Sequence, residues 1–236
     1  MQVGASWLWN CKTCQGIEMG KDIEQLKEKF VTACRILANE GLIEAAYSIS
    51  CRFDQDQMMI NDRISPLLLT QEDIISVPLD NPGDTIGKHH PAIYKAREDV
   101  QAVVHAHPPY AIALSTVEQE FVPVHHYGSI FHGKIRVFKS QGMVQTRGRA
   151  RTIADLLGDG RAVLQRGHGT VVVGKDIEEA VLGTIYLEEA AKINYLAKDM
   201  GTPEYLSMEL SNKITGQVFK ERSLKKAWNH YAAKLK

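Results

Sequence analysis

The sequence lacks an excess of charge of either sign, because its 28 lysine and arginine residues are balanced by 28 aspartate and glutamate residues. A protein that binds nucleic acid or an anionic membrane over a broad surface needs a positive excess. The sequence also lacks any apolar run near the ~20 residues of a membrane-spanning helix, and its start lacks the basic residues and long apolar centre of a signal peptide. We therefore expect a cytoplasmic protein without a nucleic-acid or membrane partner.

Cysteine is scarce as well, with four residues in the chain. Cys11 and Cys14 have the spacing of a metal-binding pair, but no second pair completes a structural zinc site. Free thiols in a reducing compartment explain all four better. With 44% hydrophobic residues, the chain can form an apolar core that needs neither disulfide bonds nor structural zinc.

No internal repeat, low-complexity tract or linker divides the chain, so the sequence predicts a single domain. Residues 1–20 are mixed and aperiodic, and we expect them to form a poorly ordered extension. Met19 is a second potential start of the natural protein. The domain itself is expected to occupy residues 21–236, a size that suits one hydrophobic core.

Hydrophobic periodicity predicts strands interleaved with helices. Helices are expected at 22–39, 91–97, 109–116, 152–157 and 176–200, with one or two more after Pro203, and strands at 46–53, 57–61, 74–79, 100–106, 135–138, 162–165 and 170–173. Asp176 caps the long fifth helix, because an aspartate at that position accepts a hydrogen bond from a free backbone N–H group. Such interleaving is typical of layered α/β proteins.

Two histidines end the predicted strand at 100–106, in the segment VVHAH at 103–107. Side chains on a strand alternate between its two faces, so His105 and His107 point to the same side. Two imidazoles on one side can bind one divalent ion. Taken alone the pair is a weak signal, since one histidine can be buried and the other exposed without any shared role.

A third histidine, His168, lies between two glycines and between two later apolar strands. Glycine allows the backbone to turn sharply and leaves space around the ring. Together with His105 and His107 it predicts a three-histidine metal site, and three protein ligands leave positions open for water or substrate, as in catalytic rather than structural sites.

These segments resemble the class II aldolase/adducin superfamily, which includes fuculose- and rhamnulose-phosphate aldolases and ribulose-phosphate epimerase. The resemblance covers about residues 23–196, and it is most specific in IYKAR at 93–97, VVHAH at 103–107, HGTVVVGK at 168–175, EEA at 178–180 and LEEAA at 187–191. It implies that His105, His107 and His168 are the metal ligands.

The resemblance also implies a fold and an assembly. The fold is α/β, a single three-layer α/β/α domain with a central mixed, largely antiparallel sheet. The assembly is a homo-oligomer, usually a homotetramer, with sites between subunits. One divalent ion per chain is expected, zinc or manganese, although iron or cobalt can occupy the same ligands.

The family places a carboxylate before the histidine that opens the helix ahead of the two-histidine strand, and here the sequence departs from that pattern. A gapless alignment puts Ile86 at the position, and Ile86 cannot transfer a proton. Asp84 replaces the carboxylate if the loop is two residues longer, and the alternative is a solvated turn residue. His89 and His90 are then further candidates, for acid/base work or for a hydrogen bond that orients a metal ligand.

Tyr127 completes the set of candidate catalytic residues. The segment PVHHYG at 123–128 resembles the family segment whose tyrosine reaches the site of a neighbouring subunit. Tyr127 is therefore a candidate proton donor, and the alternative is a tyrosine packed in a turn bounded by glycine.

The substrate loops differ from those of the sugar-phosphate aldolases, whose small phosphate donors are mostly absent here. Tyr47 provides an aromatic ring that can stack on a ring of the substrate. Arg63 offers a planar fork for a carboxylate, unless it forms a surface ion pair. Ser65 follows in a segment, RISP at 63–66, that resembles the branch decarboxylating hydroxylated aromatic acids.

The leading interpretation is a metal-dependent lyase that decarboxylates a hydroxylated benzene or pyridine carboxylate. The first alternative is a class II aldolase that cleaves a small hydroxy-carbonyl substrate. An alternative of another class is a non-enzymatic binding domain similar to the head of adducin, which would not need three convergent histidines. An oxygen-using iron enzyme on the same fold is a further alternative.

Overall fold

The computed structural model describes residues 19–83, 87–118, 120–140 and 146–235. The expected extension at 1–20 lies outside this range except for its last two residues, as do Cys11 and Cys14. The elements are α1 (Met19–Asn39), β1 (Ser48–Asp54), β2 (Gln57–Asn61), β3 (Ile74–Pro78), α2 (His89–Ala96), β4 (Ala102–Ala106), α3 (Pro109–Thr116), a 3-10 helix (His126–Phe131), β5 (Arg136–Phe138), α4 (Arg147–Leu157), β6 (Ala162–Gln165), β7 (Gly169–Gly174), α5 (Ile177–Met200), α6 (Met208–Val218) and α7 (Glu221–Ala233).

The strands form one seven-stranded sheet in the order β3-β2-β1-β4-β7-β6-β5. Neighbouring strands are antiparallel, except that β5 and β6 run parallel. One face of the sheet packs on a core that includes α1 and α5. The other face packs on a smaller core that includes α2 and α4. The predicted three-layer α/β/α domain with a mixed, largely antiparallel sheet is confirmed.

Strand β4 lies at the centre of the sheet and shows how the two cores are separated. Val104 belongs to the core of α1 and α5, whereas Val103 belongs to the core of α2 and α4, because successive side chains point to opposite faces. His105 follows Val103 on the α2 side. The strand therefore carries its histidine to the end of the face that α2 covers.

Two helices begin earlier than the sequence predicts. The second was expected at 91–97, but α2 begins at His89, because a proline in the first turn of a helix loses no hydrogen bond. The fourth was expected at 152–157, but α4 begins at Arg147 after Thr146, whose side chain accepts a hydrogen bond from Arg149 N. The expected cap of α5 is confirmed, since the Asp176 side chain accepts from Glu179 N.

Within the ranges that the structure describes, no helix is both long and apolar enough to cross a membrane. Cys34 and Cys51, the two cysteines in those ranges, are buried free thiols, as the sequence predicts.

Candidate metal centre

The antiparallel pairing of β4 with β7 brings the three predicted histidines together. His105 lies opposite Val171, His107 follows the end of β4, and His168 lies in the turn between β6 and β7. One ligand atom from each of the three lies within 4.8 Å of the other two. The sheet register therefore converts two segments more than 60 residues apart into one cluster of imidazoles that could hold a metal ion.

Gly169 allows this close approach. A Cβ atom at this position would lie 2.4 Å from the carbonyl oxygen of Ala106 and 2.7 Å from Cδ2 of His107. Any other residue would therefore push β7 away from β4 or displace the ring of His107. Gly167, on the other side of His168, has a φ angle of +63°, which a residue with a Cβ rarely adopts.

The hydrogen bond of His105 sets its tautomer. Its Nδ1 lies 2.9 Å from the carbonyl oxygen of Thr170, and a carbonyl only accepts, so Nδ1 carries the proton. The Nε2 atom is then left with a free lone pair, the usual arrangement of a metal-binding histidine. Gln165 Nε2 lies 3.5 Å from the same Nδ1 atom, but both atoms then carry hydrogens, so this contact is not a hydrogen bond.

His107 contacts a carboxylate that the sequence analysis did not identify. Its Nδ1 lies 3.3 Å from Oε1 of Glu44, and carboxylate partners commonly orient metal-binding histidines. Glu44 precedes β1 and has no spacing motif relative to His107, so only the fold reveals the pair. Nε2 of His107 and Nδ1 of His168 are buried without hydrogen-bond partners in the described part of the chain. Such unpaired nitrogens fit a bound cation.

Burial lowers the pKa values of all three histidines. The pKa of His105 is well below its usual 6.5 because of burial and neighbouring histidines, chiefly His89 and His107. Burial also lowers the pKa of His107, against the opposing effect of Glu44, and that of His168. The rings therefore stay neutral near pH 7, the form that binds metal ions.

The two candidate acid/base histidines occupy different environments. His90 is fully buried; its Nε2 lies 2.9 Å from Ser48 Oγ and its Nδ1 lies 2.6 Å from Ser50 Oγ. Burial lowers the pKa of His90 to about 3. Both of its nitrogens are thus used inside the protein, which suits a structural role.

His89, by contrast, faces the cluster. Its ring centroid lies 5.3 Å from that of His105 at an angle of 83°. Its Nε2 is buried, and no hydrogen-bond partner for it lies in the described ranges.

Tyr127 packs against α5 rather than against the metal-site histidines of its own chain. Its ring is stacked on Tyr186 with a centroid distance of 4.0 Å and an angle of 4°, next to His125 and His126. Burial raises the pKa of Tyr127, and the charge of Glu189 adds to the effect. A role at the site of a neighbouring subunit stays a prediction.

The candidate substrate residues are spread over the segments around β1 and β2. Tyr47 is only 6% exposed and belongs to the core, so its ring offers little surface to a substrate. Arg63 is exposed and Ser65 is half-buried, in the loop after β2. Asp84 and Ile86, the two candidates for the family's carboxylate position, lie outside the described residues, and the role of Asp84 stays a prediction.

A second residue that the sequence analysis missed anchors the chain just after the histidine pair. The carboxylate of Glu188 on α5 accepts hydrogen bonds from the backbone N–H groups of Tyr110 and Ala111, at 3.0 and 2.9 Å. An acidic group at a helix N-terminus stabilises free N–H groups there. Glu188 therefore fixes the start of α3 and, with it, the direction in which the chain leaves His107.

Residues 28–195 match the protein family described as the class II aldolase and adducin N-terminal domain. The decarboxylase NovR of Streptomyces niveus is 30% identical over 173 residues, which make up 69% of this chain and 63% of NovR. The chain thus spans less than two thirds of that relative. The 3,4-dihydroxyphthalate decarboxylase of Arthrobacter keyseri is 28% identical over 236 residues, with 89% of this chain and 93% of the relative covered.

Solved structures agree on the fold. The L-fuculose 1-phosphate aldolase of Glaciozyma antarctica PI12 superimposes with a TM-score of 0.78 at 24% identity, and the match covers 94% of this chain and 92% of that protein. At this identity the likeness concerns the fold alone.

Proposed function

The chain belongs to the family of class II aldolase and adducin N-terminal domains, and we propose that it is a divalent-metal-dependent lyase that breaks a carbon–carbon bond. The observation that carries the proposal is the convergence of His105, His107 and His168, whose ligand atoms lie within 4.8 Å of one another. Three protein ligands leave coordination positions open for a substrate. A divalent ion held there would polarise a substrate oxygen and stabilise the negative charge left when the bond breaks.

The residues of the chain hold and orient this centre. The carbonyl oxygen of Thr170 accepts a hydrogen bond from Nδ1 of His105, so Nε2 of that ring is the atom offered to an ion. Glu44 contacts Nδ1 of His107, so Nε2 of that ring is also the atom offered to an ion. Glu188 fixes the backbone that follows, so the pair of histidines is braced from both sides.

The specific reaction we propose is the decarboxylation of a hydroxylated benzene or pyridine carboxylate. The bond between the ring and the carboxylate carbon breaks, carbon dioxide leaves, and the electron pair remains on the ring carbon until a proton replaces the lost group. The missing phosphate donors in the substrate loops support this choice. Two decarboxylases among the relatives support it as well.

Four residues remain candidates for the proton that completes the reaction. They are Asp84, His89, His90 and Tyr127. An acid positioned at the reacting carbon typically contributes ~10²–10⁴-fold to the rate. His89 lies beside His105, whereas both nitrogens of His90 have partners in the interior. Of the two histidines, His89 is therefore the better placed.

The second candidate function is aldol cleavage of a small hydroxy-carbonyl compound, which would use the same centre. An L-fuculose phosphate aldolase among the relatives, 27% identical over 181 residues, favours it. A non-enzymatic binding domain, like adducin's head, is opposed by the cluster itself, because a scaffold has no use for three convergent neutral imidazoles.

We also propose zinc or manganese as the bound metal, a cytoplasmic location and a homotetrameric assembly. Exposed apolar side chains support an assembly, since the ends of α5 and α6 carry Tyr195, Met200 and Met208, which are 59%, 88% and 48% exposed. Light scattering on the purified protein should give four times the 26.4 kDa chain mass. A monomer of full activity would contradict sites shared between subunits.

Metal analysis combined with a substrate screen tests the function. The parent protein should bind about one divalent ion per chain and release carbon dioxide from a hydroxybenzoic, phthalic or pyridine carboxylic acid. His105→Ala or His168→Ala should remove the metal and the activity while leaving the circular dichroism spectrum unchanged. His230→Ala, which alters an exposed histidine on α7, is the matched control and should behave like the parent.

Two results would contradict the proposal in different ways. Full metal occupancy in both variants would show that the ion, if any, binds elsewhere. Efficient cleavage of a ketose 1-phosphate with no release of carbon dioxide would restore the aldolase interpretation.

A further inference from the structure

A fourth imidazole stands at the edge of the three-histidine cluster. His89 opens α2 and is only 3% exposed, and its ring meets that of His105 edge to face at 5.3 Å. His89 therefore contacts the metal centre from the helical layer, whereas the three ligands project from the sheet.

His89 is set apart from the ligands by distance. The atoms of His105, His107 and His168 that lie within 4.8 Å of one another form a set of three, to which His89 does not belong. His89 thus lies beside the three candidate ligands, next to His105, and is not one of them.

The Nε2 atom of His89 is buried without a hydrogen-bond partner among the described residues. Native proteins leave few buried polar atoms unpaired, because the loss of solvation is costly. The adjacent His90 has the same burial but both nitrogens are bonded, to Ser48 and Ser50. Both nitrogens of His90 are therefore hydrogen-bonded, whereas Nε2 of His89 is available beside the metal site.

We propose that His89 is a substrate-contacting residue whose Nε2 hydrogen-bonds a hydroxyl group next to the oxygens that bind the metal. A neutral imidazole nitrogen pairs well with a hydroxyl, which can donate or accept. The site would then select aromatic acids that carry a second hydroxyl beside the metal-binding pair. This inference rests on the proposed function, because it assumes an aromatic acid bound at the metal.

Two probes that differ by one hydroxyl test the contact. Salicylate presents a phenolic oxygen and a carboxylate, and 2,3-dihydroxybenzoate adds the neighbouring hydroxyl. Their dissociation constants would be measured by calorimetry with the zinc-loaded parent, His89→Leu and His89→Gln proteins, after metal analysis has shown equal zinc content. One hydrogen bond to a neutral group corresponds to about threefold to tenfold in affinity.

The parent should bind 2,3-dihydroxybenzoate about threefold to tenfold more tightly than salicylate. His89→Leu should abolish this preference without weakening salicylate, and His89→Gln, which keeps a donor and an acceptor, should retain part of it. If His89→Leu fails to fold, His89→Gln is compared with an exposed control, His230→Gln. A preference that is smaller in His89→Gln than in the control supports the contact, and an equal preference overturns it.

The outcomes separate this inference from the proposed function. If the parent prefers the dihydroxy probe and His89→Leu keeps the whole preference, the contact with His89 is wrong while the aromatic substrate class stands. A parent without preference also overturns the contact. If zinc-loaded parent binds neither probe better than zinc-free protein does, the aromatic substrate class is wrong and the inference falls with it.

Discussion

His90 allows a quantitative test of how the site is braced. In the folded protein it holds two serines of β1, Ser48 through Nε2 at 2.9 Å and Ser50 through Nδ1 at 2.6 Å. Ser50 also lies 2.8 Å from the hydroxyl of Tyr94. His90→Leu would leave Ser48 without this partner, which costs about 1–3 kcal/mol, and would remove one of two bonds of Ser50, which costs about 0.5–1.5 kcal/mol.

The expected loss is therefore roughly 1.5–4.5 kcal/mol in the free energy of unfolding, set against a total of about 5–15 kcal/mol for a typical domain. Urea denaturation of the metal-free protein, followed by circular dichroism, measures it. The double variant Ser48→Ala/His90→Leu should be more stable than the sum of the single changes predicts, because it removes the unpaired hydroxyl as well.

A different pattern would refute the reasoning. If His90→Leu unfolds at the same urea concentration as the parent but loses ~10²-fold or more in kcat with its metal retained, then His90 is part of the chemistry. The bonds to Ser48 and Ser50 would then be incidental to stability.

Two further predictions concern the cluster and its acid sensitivity. Gly169→Ala should lower metal affinity by about tenfold or more, because misplaced ligands bind weakly and the added Cβ would lie 2.4 Å from the carbonyl oxygen of Ala106. Competition with a chelator measures the affinity. An unchanged affinity would mean that β7 shifts without disturbing His107. The stability of the metal-free protein should fall as the pH drops from about 6.5 to about 3. The unfolded chain protonates His90 near 6.5, whereas burial holds the pKa of His90 in the folded protein at about 3, so this group alone removes about 1.4 kcal/mol per pH unit in that window. Denaturation midpoints at several pH values test this. In His90→Leu the free energy of unfolding should change with pH by about 1.4 kcal/mol per pH unit less than in the parent, because one proton fewer is taken up on unfolding.

The three-histidine centre was predictable because its geometry follows from local rules. His105 and His107 share a face through the two-residue repeat of a strand, and the glycines beside His168 indicate a turn that can approach another strand. The layered fold was predictable for a similar reason, since strand and helix periodicities alternate along the chain. The convergence of His168 with the other two depends on the pairing of β4 with β7, and the sequence indicated it through the family resemblance.

The residues that brace the centre could not be predicted in this way. Glu44 contacts His107 from a loop before β1, and Glu188 reaches the start of α3 from a residue 77 positions away in the chain. Contacts of this kind depend on how the layers dock, which no local pattern encodes. The burial of Tyr47 could not be predicted for the same reason, because it depends on the packing of α1 against the sheet.

The start of α2 explains why two adjacent histidines have different environments. With both residues in a loop, as an onset at Pro91 implied, His89 and His90 could not be told apart. Because the helix begins at His89, the two side chains point about 100° apart around its axis. One direction leads to the serines of β1 and the other to His105. A single turn of helix thus bonds the sheet with one imidazole, through Ser48 and Ser50, and places the other against His105.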